Sequence, residues 1–138
     1  MRRIVIPLGL LLLILAPALA ATQTAPASPL DGTAWAVKVT PDEAAMKKGE
    51  KVFDDVIVFQ SGRVAMSECV KVGFKSSSYT AEKAGDGWAF NTQQMSEKEG
   101  KTAWTGDIKG DTIKGRLVWT KKDGTVFNYT FEGKKGGK

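Results

Sequence analysis

Acid–base and nucleophilic chemistry need paired groups, and this chain offers few. It has no histidine and one cysteine, Cys69. That excludes His-dependent triads and the usual zinc ligand sets, and leaves no intramolecular disulfide. One carboxylate stands out. Residues 53–59 read FDDVIVF. On a strand alternate side chains share a face, so Asp55 lies with Phe53, Ile57 and Phe59. No other acid has a parity that points into an apolar interior, so the second carboxylate or lysine that general acid–base catalysis requires is missing. The residues point away from an enzyme, and no cofactor or metal is expected.

A buried, unpaired Asp55 would cost several kcal/mol or take up a proton. Two roles remain open for it. As a latch it would accept hydrogen bonds from Tyr79, Tyr129, a Trp indole N–H or the first N–H groups of a helix at 41–48. As an anchor it would hold the polar end of a ligand. Cys69 shares a face with Ser67 and Ala65 and reads as a small buried residue; only Lys71 is near enough to lower its pKa.

These residues sit in a run of short strands. Strand patterns cover residues 33–39, 52–60, 63–69, 78–83, 88–95, 102–109, 112–120 and 126–133, separated by turn signals. Their spacing predicts an all-β, eight-stranded antiparallel up-and-down barrel, closed so that no edge is left. One segment reads as helix, at 41–48 between strands one and two. Thr40 is its N-cap, Pro41 its first residue, Glu43 completes a capping box and Gly49 is the stop.

Parity places Trp35, Phe53, Ile57, Phe59, Trp88, Phe90, Trp104, Leu117, Trp119, Phe127, Tyr129 and Phe131 inside. Of these, Trp35, Phe53, Ile57, Phe59, Phe90, Trp104, Trp119, Phe127 and Tyr129, together with Asp55, form the candidate ligand-binding interior. Gly106 and Gly115 fall on the same aromatic face, where a glycine permits a strand bend or makes room for a ring. The turns QSG, AGDG and KGD close one end of the barrel. The longer loops at 41–51, 70–77, 96–101 and 121–124 make the other end its mouth, with the helix over it.

Residues 1–20 have a basic start, an apolar run and an A-x-A site before Ala21, the pattern of a secretory signal peptide. Residues 21–29 are a Pro/Ala/Ser/Thr tether, 30–133 the barrel and 134–138 a basic disordered tail. The formal charge is +5; loss of Arg2 and Arg3 leaves 18 basic against 15 acidic side chains, a net +3. The basic residues are scattered lysines, so no nucleic-acid partner is expected. After leader cleavage no integral membrane segment remains, and the mature chain is expected to be a periplasmic or secreted monomer.

The meander opening on Gly32-Thr33-Ala34-Trp35 resembles the calycin group: lipocalins, fatty-acid-binding proteins and avidin-like proteins. The stretches F-x-D-x-I-x-F, S-x-C, G-F…Y and W-x-G-x-I-x-G-D-x-I-x-G-x-x-x-W look like secreted bacterial lipocalin-like proteins without assigned function. The resemblance covers roughly residues 30–133 and implies the barrel fold more than any activity.

Two functions follow. The first is a non-enzymatic binder of a small hydrophobic or amphipathic ligand in an aromatic cup, for which an apolar void of about 300 Å³ or more is the mark. The second is a protein-interaction module, such as a periplasmic protease or hydrolase inhibitor, using the loops or the tether. A barrel filled by its own side chains favours the second. The mouth loops carry nine lysines against six acids, an excess that would suit an anionic head group.

Overall fold

The computed structural model describes residues 28–136. Eight strands run in order around a closed barrel: β1 (Thr33–Pro41), β2 (Phe53–Gln60), β3 (Arg63–Met66), β4 (Ser77–Ala84), β5 (Gly87–Ser96), β6 (Gly100–Lys109), β7 (Thr112–Thr120) and β8 (Val126–Lys135). Each pairs antiparallel with its sequence neighbours, and β8 returns to β1, pairing Thr130 with Thr40 and Lys135 with Trp35. The up-and-down barrel expected from the spacing is the fold. No helix among the described residues is long and apolar enough to cross a membrane.

Two helices interrupt the meander: α1 (Glu43–Lys47) between β1 and β2, and α2 (Ser67–Lys71) between β3 and β4. The first is shorter than the 41–48 expected. Thr40 and Pro41 stay in β1, paired with β8, and Asp42 is the N-cap, its side chain accepting from the Ala45 N–H at 2.8 Å. Ladder bonds to β8 outcompete the capping box. The second helix is a correction to strand three, expected to reach Cys69 but ending at Met66. Strand β8 also runs two residues into the segment read as tail, through Lys134 and Lys135. The leader, and the tether up to residue 27, lie outside the described residues.

The wall's outer face is self-neutralised. Asp107, Lys114, Glu132, Lys38 and Asp54 stand opposite one another in turn across β6, β7, β8, β1 and β2. Opposite charges in facing positions favour this register over a slipped one.

Inside, the half of the barrel near the tight turns is filled. Phe59 packs edge-on against Tyr79 at 4.8 Å and Phe90 at 5.1 Å, and Trp104 lies tilted against Phe131 at 5.1 Å. Trp35, Ile57, Phe59, Phe90, Trp104 and Phe131 are all at most 2% exposed. Gly106 and Gly115 face each other across β6 and β7. A Cβ on Gly106 would lie 2.6 Å from the Phe90 ring, and one on Gly115 the same distance from Phe131. The glycines therefore make room for rings. Leu30 and Asp31 seal this end: Leu30 is buried, and the Asp31 carboxylate accepts from the Gly62 N–H at 2.9 Å and the Tyr79 hydroxyl at 2.8 Å. Trp88 keeps its inward parity but is only half-buried at this end, with the Lys83 ammonium 5.0 Å from its ring centre.

Candidate functional site

The other end is hollow. A cup of about 250 Å³ lies at the mouth, lined by Phe53, Leu117, Trp119, Tyr129, Phe74, Val72, Cys69, Thr102, Glu50 and Glu68. Its wall is built by strands and its rim by the ends of the two helices. Each helix ends in a glycine at positive φ, Gly49 at 96° and Gly73 at 98°, a conformation that costs other residues steric strain. After α1, the Gly49 N–H reaches the Met46 carbonyl and the Glu50 N–H the Ala45 carbonyl. After α2, the Gly73 N–H reaches Val70 and the Phe74 N–H reaches Cys69. Both are Schellman motifs. The residue after each glycine is thereby turned back over the mouth: Glu50 from one side, Phe74 from the other.

Glu50 accepts from the Tyr129 hydroxyl at 2.9 Å. Burial first, and then that bond to a carboxylate, hold the Tyr129 hydroxyl protonated well above the usual range for tyrosine. Phe74 stands edge-on to Trp119 at 6.4 Å, and Phe53 to Tyr129 at 6.2 Å. The Trp119 indole N–H donates to the Glu99 carbonyl at 2.7 Å, which fixes the ring against the wall. Phe127 backs Trp119 at 5.6 Å and is capped by Lys48 and Lys121.

Strand β5 turns buried polar groups inward beside the cup: Thr92, Gln94 and Ser96. The first two brace the chain that returns beside a weak seam. Strands β3 and β4 share only two register pairs because β3 gives way to α2. Gln94 donates to the Lys75 carbonyl at 3.0 Å and Thr92 to the Ser78 carbonyl at 2.8 Å, pinning the returning loop to β5.

Asp55 faces inward as its parity requires and is 4% exposed, but none of the expected latch donors reaches it. Tyr79 is taken by Asp31 and Tyr129 by Glu50. Instead Asp55 Oδ1 accepts the Val56 N–H at 2.7 Å and the Glu68 N–H at 2.9 Å. Helix α2 has Met66 at its N-cap, with no side-chain cap of its own. A carboxylate from the neighbouring strand therefore supplies the cap and meets the positive end of the helix. Burial nonetheless outweighs these bonds and raises the Asp55 pKa, and Oδ2 has no partner among the described residues.

Cys69 belongs to α2 rather than strand three, yet is the small buried residue expected. Burial, then the nearby Asp55 and Glu68, push its pKa to about 12. The thiol is thus protonated at neutral pH and a poor nucleophile. Among the described residues no group of three or more His, Cys, Asp or Glu could hold a metal.

Of the ten candidate interior residues, Phe53, Trp119 and Tyr129 reach the cup. Trp35, Ile57, Phe59, Phe90 and Trp104 are packing in the filled half, Phe127 is backing for Trp119, and Asp55 is a helix cap. Strand parity missed Phe74, Val72, Glu50 and Glu68, which lie on helix ends and loops. The signal for two of them was local: a glycine followed by one residue, Gly49-Glu50 and Gly73-Phe74, each after a short stretch that can close one turn of helix.

A larger hollow, about 700 Å³, lies on the outer wall over Gly106 and Gly115. Its borders include the alternating charges of Lys38, Glu132, Lys114 and Asp107, which face one another across strands. No protein family, curated protein or solved structure matches this chain.

Proposed function

We propose that the protein is a non-enzymatic binder of a small amphipathic molecule, held at the mouth of the barrel. The observation that carries this reading is the apolar cup of about 250 Å³ with two carboxylates at its rim. A dry cavity of about 150 Å³ suffices for benzene, so the cup suits one ring with a substituent or the end of an aliphatic chain. At about 250 Å³ it falls short of the void of about 300 Å³ that marks a larger ligand site, which restricts this reading to a small molecule. Phe53, Phe74, Leu117 and Trp119 would take the apolar body. Glu50, which already accepts the Tyr129 hydroxyl, and Glu68, which pairs with Lys71, keep further acceptor positions that favour a hydrogen-bond donor or a positive charge at the polar end and disfavour a fatty-acid carboxylate. None of the lysines that suggested an anionic head group lines the cup, although Lys71 pairs with Glu68 and the Lys121 ammonium lies 5.5 Å from the Trp119 ring centre. The protonated Cys69 supports binding over thiol chemistry; the two carboxylates that the cup brings together, Glu50 and Glu68, are a pair that strand parity did not anticipate.

Export rests on the leader at 1–20, and a place in the calycin group on the closed meander and Trp35 in β1. An inhibitor-like module would use the same mouth loops, and the filled lower barrel is the feature in its favour.

Calorimetric titration with phenethylamine and phenylacetate, equal in ring and opposite in charge, tests the reading. The amine binds and the acid does not; Glu50→Gln weakens the amine, and Phe74→Leu weakens it while the fold is kept. Heats of zero for both compounds, or amine binding indifferent to both substitutions, would sink the proposal.

A further inference from the structure

Among the described residues six large apolar side chains are exposed: Met46, Val52, Val70, Val72, Met95 and Val126, each between 45% and 66%. All six stand at the mouth. Met46 is on α1 and Val70 on α2. Val52 and Val72 lie in the loops that follow, Met95 is near the end of β5, and Val126 begins β8. Elsewhere the wall's outer face shows cross-strand charge pairs, and the tight-turn end has no exposed large aliphatic among the described residues. Singly exposed aliphatics are ordinary; what points to an interaction surface is that all six fall at one end.

The charges around them indicate its partner. Nine lysines occupy the mouth loops. Lys47 and Lys71 pair with Glu43 and Glu68, and the other seven have no ion-pair partner among the described residues. Seven acids share this end, Asp42, Glu43, Glu50, Glu68, Glu97, Glu99 and Asp123, which leaves a net excess of two lysines, and most of the seven are already bonded within the chain. Asp42 and Asp123 accept backbone N–H groups and Glu50 accepts the Tyr129 hydroxyl; only Glu97 and Glu99 hold a carboxylate with neither a hydrogen bond nor an ion pair. Protein interfaces favour Trp, Tyr and Arg and are depleted in Lys. Methionine is common at such interfaces too, but this rim is rich in Lys, four of its six exposed apolar residues are Val, and the two described arginines, Arg63 and Arg116, lie at the closed end and on the wall. Scattered aliphatics that can sink between acyl chains, ringed by lysines whose stems follow them to the head groups, fit a fluid anionic surface.

We propose that the mouth end docks on the surface of an anionic lipid bilayer, with the cup facing the membrane. This goes beyond the binding role and stands whether or not the cup holds a ligand. The experiment is flotation of the chain from Ala21 onward, which contains every described element, with vesicles. One set is phosphatidylglycerol and phosphatidylethanolamine in equal parts; the other is phosphatidylcholine alone. The protein floats with the anionic vesicles, less at high salt, and poorly with the neutral ones. Val70→Asp with Met95→Asp lowers the partition coefficient about tenfold, equivalent to about 1.4 kcal/mol. Lys51→Glu with Lys122→Glu lowers it too, whereas Lys109→Glu with Lys134→Glu, the same charge change at the closed end, leaves it in place. Circular dichroism confirms that each variant is folded. No flotation with anionic vesicles overturns the proposal. So does equal loss from the mouth and closed-end charge pairs, which would mean attraction without orientation. A concentration-dependent dimer, abolished by Val70→Asp with Met95→Asp, would assign the rim to a second copy of this chain and overturn it as well.

Discussion

The two halves of this barrel use the same residue types to opposite ends. Near the tight turns, aromatic side chains on facing strands meet ring against ring, and Gly106 and Gly115 give up their own volume so that Phe90 and Phe131 fit. At the mouth, Phe53, Phe74, Trp119 and Tyr129 stand around a space instead. The difference lies in who delivers them. Closed-half rings come from strands, whose pleat sends them to the axis. Two mouth groups, Glu50 and Phe74, come from helix ends that stand over the opening. A barrel of this size fills itself wherever strand side chains alone decide; the cup exists where short helices hold the rim apart.

Breaking the filled half should cost most. Trp104→Ala removes a fully buried indole and is expected to lower stability by about 3–5 kcal/mol in denaturant melts. The indole N–H has no partner among the described residues, so Trp104→Phe should cost much less, because it removes an orphaned donor with only part of the volume.

Next comes the joint between the halves. Asp55→Ala strips the Glu68 and Val56 N–H groups of their acceptor, with an expected loss of about 1–3 kcal/mol. Asp55→Asn keeps an acceptor oxygen and should stay close to the parent. The pH dependence separates the two charge states. Burial raises the Asp55 pKa, so the folded chain holds this proton over a range where the unfolded chain has lost it. Its contribution to stability therefore falls as pH rises from the ordinary aspartate pKa through the raised one. Thermal melts of Asp55→Asn across that window should lack this part of the slope; an unchanged slope would assign it elsewhere.

Smaller still is the rim. Gly73→Ala must adopt φ near 98° and brings a Cβ to 3.0 Å from the Ser96 hydroxyl oxygen. The expected cost is about 1–2 kcal/mol, with a larger fractional loss of amine binding, because the turn that aims Phe74 is loosened. A stability loss with binding intact would show that Phe74 reaches the cup without its helix cap.

The same division decides how much the sequence revealed. The strands, the tight and open ends, the inward parity of Asp55 and the ring-accommodating glycines follow from period-two alternation and turn chemistry, which are local. Helix α2 does not. SECVK is a single turn with no visible apolar period, it continues a strand-like run, and its cap comes from Asp55, on a strand that only the folded barrel brings alongside. With α2 unseen, Phe74 read as part of a polar loop and Cys69 as a strand residue. Helix α1 was legible, but its start was set by the β1–β8 ladder, which is long-range. The candidate site was thus read well as an interior and poorly as a cup.

The two halves each carry an indole that reports on them: Trp119 at the cup wall, its N–H bonded to the Glu99 carbonyl, and Trp104 in the packed half. Titrating phenethylamine into ¹⁵N-labelled protein and following the indole N–H resonances tests the cup directly. Saturable movement of the Trp119 signal, with Trp104 still, is the predicted result. Movement of Trp104 with Trp119 unchanged, or of neither, would contradict a ligand site at the mouth.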